Sequence, residues 1–131
     1  MSAAAVIDLP FPPSSNNLFI NVRRGRIRSS KYAEWAAEAG WELKRQRAPE
    51  LKGPVSLFYQ LQDGRDKRKR DLGNLEKAVT DLLVEYGVIE ADDNTIVREI
   101  NLSWSTEARG VHIVIYPAGE SNGRSQLKRT A

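Results

Sequence analysis

The stretch KRDLGNLEKAVTDLLVEYG, Lys69 to Gly87, carries an amphipathic helical pattern and decides how the rest is read. Leu75, Ala78, Val79, Leu82, Leu83 and Tyr86 recur at steps of three and four, so they form one apolar stripe that must face a core. Asn74, Lys77 and Asp81 follow the same steps on another side; a helix over residues 74–86 would stack these three polar groups in one row. Asp71 lies just before that row. Gly87 supplies a helix stop, and a short return loop would bring Asp92 and Asp93 back toward Asp71.

Acids, cations and an amide at the mouth of one helix are the groups that a metal-dependent attack on a phosphodiester uses. Magnesium and manganese take oxygen ligands, of which a protein supplies one or two carboxylates while phosphate and water fill the rest. Two such ions would lie about 3.5–4 Å apart and stabilise the attacking and leaving oxygens. An ammonium one turn into the helix, Lys77, would offset charge developing at the scissile phosphate. The helix N-terminus adds a partial positive charge of its own.

The 131 residues suffice for one domain with a two-layer core. A formal charge of +3 permits a polyanionic partner without requiring one. Its distribution is more telling. Arg65 to Asp71 holds five positive and two negative side chains, and Arg23, Arg24, Arg26, Arg28 and Lys31 form a second cluster. Without cysteine there is neither a disulfide nor a thiolate metal site, and the lone His112 cannot build a zinc site by itself. No signal-like or membrane-spanning run is present, so a cytoplasmic protein is expected.

Residues 1–5 are small and expected to fray. Val6 to Leu9 read as a short strand closed by Pro10-Phe11-Pro12-Pro13, and Ser14 to Asn17 as a polar turn that would serve as a plain loop or set Asn16 or Asn17 beside a phosphate. Asn21 to Arg28 read as a basic loop around Gly25. Ser29 or Ser30 would cap a helix whose stripe is Tyr32, Trp35, Ala36, Ala39 and Leu43. Trp41 falls off that stripe and is expected to pack under the 48–54 loop, against an alternative in which it stacks on a base or meets another subunit. Val55, Leu57, Tyr59 and Leu61 alternate with Ser56, Phe58, Gln60 and Gln62, the period of a strand. The basic run follows directly, on a loop at the end of a sheet. Residues 95–102 and 110–116 read as two further strands joined in a hairpin through 103–109, with His112 on a sheet face. One domain over 1–117 and a disordered basic tail over 118–131 complete the expectation.

These pieces together resemble the RusA family of Holliday junction resolvases, the crossover junction endodeoxyribonucleases of phages and prophages. The resemblance rests on Leu9-Pro10-Phe11-Pro12-Pro13-Ser14 with Asn16-Asn17, on Arg70-Asp71-Leu72-Gly73-Asn74-Leu75-Glu76-Lys77, on Asp81, and on Asp92-Asp93. It implies a small two-layer α+β domain, two helices on a mainly antiparallel sheet in the order β-α-β-α-β-β. It further implies a homodimer that acts in DNA recombination and repair, cutting four-way junctions by paired symmetric nicks with Mg2+, or Mn2+ in its place. By position Asp71 and Asp93 would hold metal with Asp92 as a weaker candidate, and Lys77 would be the cation at the phosphate. Arg70 and Asn74 would touch DNA, and the basic clusters add Lys69, Arg68, Lys67, Arg65, Arg24 and Arg26, with Asn16 and Asn17 beside them.

Gly73 is the departure, because the family pattern places an aspartate there. Three outcomes stay open: an inactive form, weak activity helped by Asp92 or Asp81, or a shifted loop in which another acid fills the gap. A protein that only holds branched DNA is the competing reading.

Overall fold

Strand β4, Val55–Gln62, occupies the stretch whose alternation was strongest, and its side chains are buried on both faces through residue 59. A strand covered on both sides belongs in the middle of a sheet. The computed structural model, which describes residues 3–119, places it there. The four-stranded sheet runs β1 (Ala5–Leu9), β6 (Val111–Pro117), β4, β5 (Val97–Ser105). β6 pairs antiparallel with β1 and with β4, whereas β4 and β5 are parallel.

That parallel pair overturns the hairpin expected between the last two strands. β4 lies between β5 and β6, so residues 106–110 step across it instead of folding one strand back on the other. The reason lies in the crossover: residues 63–96 hold helix α2 (Lys77–Glu85), long enough to return the chain to the same end of the sheet. β5 is left at the edge, and its residues are only partly buried or exposed, as an edge strand's are.

Helix α1 (Ser30–Arg45) starts at Ser29, whose side chain accepts from Tyr32 N–H, and buries Tyr32, Trp35, Ala36, Ala39 and Leu43 as the stripe predicts. α2 buries Ala78, Val79, Leu82 and Leu83. These stripes close over Ile7, Leu9, Leu57, Tyr59, Leu61, Ile113 and Ile115 to form one core between helices and sheet. Each such Leu or Ile contributes about 1.5–3 kcal/mol by leaving water. Tyr59 Oη lies 2.8 Å from Thr80 Oγ1, a buried bond that ties α2 to the central strand. The helices meet where Tyr86 lies over Gly40, at a point where a β-carbon would collide with the phenol ring. Gly87, at φ 75°, ends α2 as expected, with Val88 N–H reaching back to Leu83 O at 2.8 Å.

The element order is thus β-α-β-α-β-β with one addition. The expected basic loop is a hairpin of β2 (Phe19–Val22) and β3 (Gly25–Arg28), a separate two-stranded sheet between β1 and α1. Three smaller corrections accompany it. Ala5 belongs to β1, and Ala4 N–H also bonds Ile115 O, so the first described residues do not fray. Trp41 is 60% exposed, with the Arg45 guanidinium 5.8 Å from its ring, and is not packed under the 48–54 loop. Residues 120–131 of the expected tail lie outside the described residues. Among the described residues no helix is long and apolar enough to cross a membrane.

Candidate nucleic-acid interface and acidic cluster

A cleft of about 570 Å³ opens where the proline-rich segment, the start of α1 and the basic loop converge. Ser14 shapes one wall by capping a 3-10 turn at Ser15–Asn17, accepting from Asn16 N–H at 3.2 Å. A second 3-10 turn, Leu72–Asn74, brings Asn74 to the cleft, and Ser15 Oγ joins the two turns at 3.4 Å from Asn74 Oδ1. Of the residues expected to touch DNA or metal, this cleft gathers Asn16, Asn17, Arg65, Arg68, Lys69, Arg70, Asp71 and Asn74.

Phe11 organises the cations. The guanidinium of Arg65 lies 4.6 Å from its ring centroid and that of Arg70 5.3 Å, distances at which the ring face attracts positive charge. Arg70 is further fixed by a two-pronged bond to Asp66 at 2.7 and 2.9 Å. That guanidinium, with help from Arg68 N–H, holds the Asp66 carboxyl well below the usual carboxylate range. Trp35 donates from Nε1 to Pro10 O at 2.9 Å and so pins the proline segment to α1. Lys31, Phe11 and Trp35 line the cleft although none was singled out as a site residue. Lys31 had the legible signal, since it belongs to the second basic cluster.

Three other residues from the basic clusters expected to touch DNA lie elsewhere. Arg24 falls in the turn of the β2–β3 hairpin, Arg26 stands 4.2 Å over the Phe19 ring, and Lys67 sits in the basic loop without lining the cleft. The helix also begins later than its periodicity implied. α2 starts at Lys77, so Asn74 belongs to the second 3-10 turn and the expected polar row shrinks to Lys77 and Asp81.

Their side chains pair, with Lys77 Nζ 3.2 Å from Asp81 Oδ2. The Asp81 hydrogen bond raises the Lys77 pKa, and the charges of Asp81, Asp92 and Glu76 add to it. Of the acidic pair, Asp92 is the member whose charge acts on Lys77. Asp93 is engaged locally: Thr95 donates to its Oδ1 from the backbone at 2.9 Å and from the hydroxyl, and these bonds lower its pKa. Its carbonyl meanwhile accepts from Ile96 and Val97 N–H at the start of β5.

Asp71 caps the second 3-10 turn through its backbone alone, leaving its carboxylate at the rim of the cleft. Gly73, in the middle of that turn, contributes no side-chain oxygen. Among the described residues no three His, Asp or Glu side chains gather closely enough to hold a metal ion. Of the acids near the expected site, Asp93 accepts from Thr95 through Oδ1, Asp81 pairs with Lys77, and position 73 has no side chain.

A family profile described as Endodeoxyribonuclease RusA matches residues 10–116, from the proline-rich segment through nearly all of the last strand. No curated protein matches the chain.

Proposed function

The chain belongs to the RusA endodeoxyribonuclease family, and on that premise we propose that it recognises four-way, or Holliday, junctions in DNA and that its cleavage of them is impaired by Gly73. The observation that carries this reading is the cationic cleft, with Arg65 and Arg70 held by the Phe11 ring and Asp71 at its rim. Such a cleft suits a phosphodiester backbone, whose charge releases counterions when arginines and lysines neutralise it. Arg68, Lys69 and Lys31 take phosphates on either side, while Asn74 and Asn16 orient them by hydrogen bonds.

Cutting is proposed to require Mg2+, or Mn2+ in its place, with Asp71, Asp92 and Asp93 as the acids nearest to that task. An ion of this kind supplies charge stabilisation at the phosphate and a more acidic water. Lys77 is protonated at neutral pH as any exposed lysine is, Asp81 raises its pKa further, and it is proposed to face the phosphate as a fixed positive charge. Paired symmetric nicks need two equivalent sites, hence a homodimer whose two-fold axis matches that of the junction.

The second reading, a protein that binds branched DNA without cutting it, is favoured by the engagement of Asp93 and Asp81 with their neighbours. Both readings predict that a four-way junction outcompetes a duplex of equal length as salt is raised. Competition binding tests this: equal affinity for the two DNAs at raised salt would leave only a general basic domain.

A further inference from the structure

The β2–β3 hairpin has two unlike faces. On one, Phe19 packs edge-on against Tyr32 of α1 at 5.6 Å, Arg26 covers the Phe19 ring, and Arg28 pairs with Glu85 at 2.6 Å. This face fastens the ribbon to both helices. The other carries Ile20 and Ile27, directly opposite each other in register, and Val22 beside them. These three are 49%, 51% and 41% exposed. A two-stranded sheet with no third strand and a bare apolar strip is unusual in water, and such strips mark contact surfaces.

Charge indicates what covers it. From Leu9 to Ala33 the sequence has no acidic residue, while Arg23, Arg24, Arg26, Arg28 and Lys31 are all basic. Arg23 and Arg24 stand at the tip, where they make no hydrogen bond or ion pair among the described residues. Two copies meeting through this ribbon would bring like charges together, whereas a polyanion would be attracted. The ribbon is also continuous with the cleft. The Ser15–Asn17 turn runs into β2, and Lys31 stands in the first turn of α1, three residues past the end of β3; Asn16, Asn17 and Lys31 all line the cleft wall. Ser29 closes the root by donating from N–H to Leu18 O at 2.9 Å and from Oγ to Asn17 O at 2.6 Å.

We propose that the β2–β3 ribbon is a branch-point wedge: Ile20, Ile27 and Val22 press against base faces left unstacked where DNA strands exchange, while Arg23 and Arg24 hold the flanking phosphates. Apolar side chains set among arginines do this in proteins that unstack base steps, and an open branch point supplies faces that a duplex hides. The proposal rests on the junction-binding reading and adds the source of its selectivity.

The test uses the full chain and a synthetic four-way junction with 2-aminopurine at the branch point. Binding and fluorescence are read for the unaltered chain, for Ile20→Thr with Ile27→Thr, and for Arg23→Ala with Arg24→Ala. Threonine keeps the β-branch, so the ribbon persists while its apolar strip is lost. The threonine variant should lose about tenfold in preference for junction over duplex, with its duplex affinity unchanged and the unstacking signal reduced. The alanine variant should weaken on both DNAs, with a salt slope shallower by about two. Junction preference and fluorescence that survive the threonine changes would overturn the wedge while leaving junction binding intact. A changed oligomeric state of the DNA-free variant, with preference retained, would overturn it by assigning the strip to contacts between copies. If the unaltered chain binds no junction, the function reading falls and the wedge with it.

Discussion

Lys77 Nζ stands 3.2 Å from Asp81 Oδ2, one helical turn away, so the cation proposed to meet the phosphate is already held by a carboxylate. The Lys77 side chain is 54% exposed, and a pair this open adds at most about 1 kcal/mol to stability. Because the Lys77 pKa is raised, the pair's contribution is complete below the ordinary lysine value and fades only as pH climbs through the raised one. Urea unfolding of Asp81→Asn should therefore show the same small loss at about pH 6 and about pH 9. A loss that changes between those pH values would mean that Lys77 titrates in that range.

Asp93 should respond to its neighbour. With Thr95→Val the hydroxyl bond disappears, and the Asp93 carboxyl, now held below the usual range mainly by Thr95, should titrate closer to an ordinary aspartate. A lowered pKa stabilises the fold above the ordinary carboxylate value and is lost as pH falls through the lowered one. The variant should accordingly be less stable than the unaltered chain near neutral pH, and the difference should shrink as pH falls through the lowered value. Carboxyl NMR titration reads the shift directly, and an unmoved midpoint would contradict the assignment.

Arg70 is divided between Asp66 and the cleft. Asp66→Asn removes the competing charge, so junction binding should tighten and its salt dependence steepen by about 0.9, the increment for one more phosphate contact. Weaker binding would show instead that Asp66 positions Arg70 and that its charge is secondary.

Gly40 is a packing requirement. An exposed helical glycine usually gains about 1 kcal/mol when replaced by alanine. At Gly40 the β-carbon meets Tyr86, so Gly40→Ala should instead destabilise by about 1–3 kcal/mol, and adding Tyr86→Leu should recover part of that loss. Denaturant midpoints of the single and double variants check it.

What the sequence made legible follows from the range over which each signal acts. The stripes of α1 and α2 are local periods and match the buried faces, whereas the alternation of β4 marks a strand without showing that Ser56 and Phe58 on its other face are buried as well. The neighbours of β5 are set by residues far away in the chain, and no pattern within 95–117 distinguishes a hairpin from a step across β4. The β2–β3 hairpin left a readable trace that the arginines obscured: Ile20, Val22 and Ile27 flank Arg23-Arg24, with Gly25 at φ 124° closing the turn.

In the candidate site, the basic run and Asp71 were evident from charge alone and meet in one cleft. The engagement of Asp93 was also written locally, because an aspartate two residues before a threonine readily folds onto its backbone and hydroxyl. Phe11 was read only as part of a strand end, since its grip on Arg65 and Arg70 joins segments more than fifty residues apart.

The central claim is that Gly73 accounts for impaired cutting, and the backbone there is ready to test it. A β-carbon at Gly73 would meet nothing within 4 Å, so Gly73→Asp adds a carboxylate beside Asp71 without a clash. The decisive measurement compares the two chains on an end-labelled four-way junction in Mg2+ and in Mn2+. The account predicts symmetric paired nicks by the aspartate variant, at least about a hundredfold faster than by the chain as it stands, with junction affinity similar in both. Equal cutting by both, or binding without cutting by both, would contradict it.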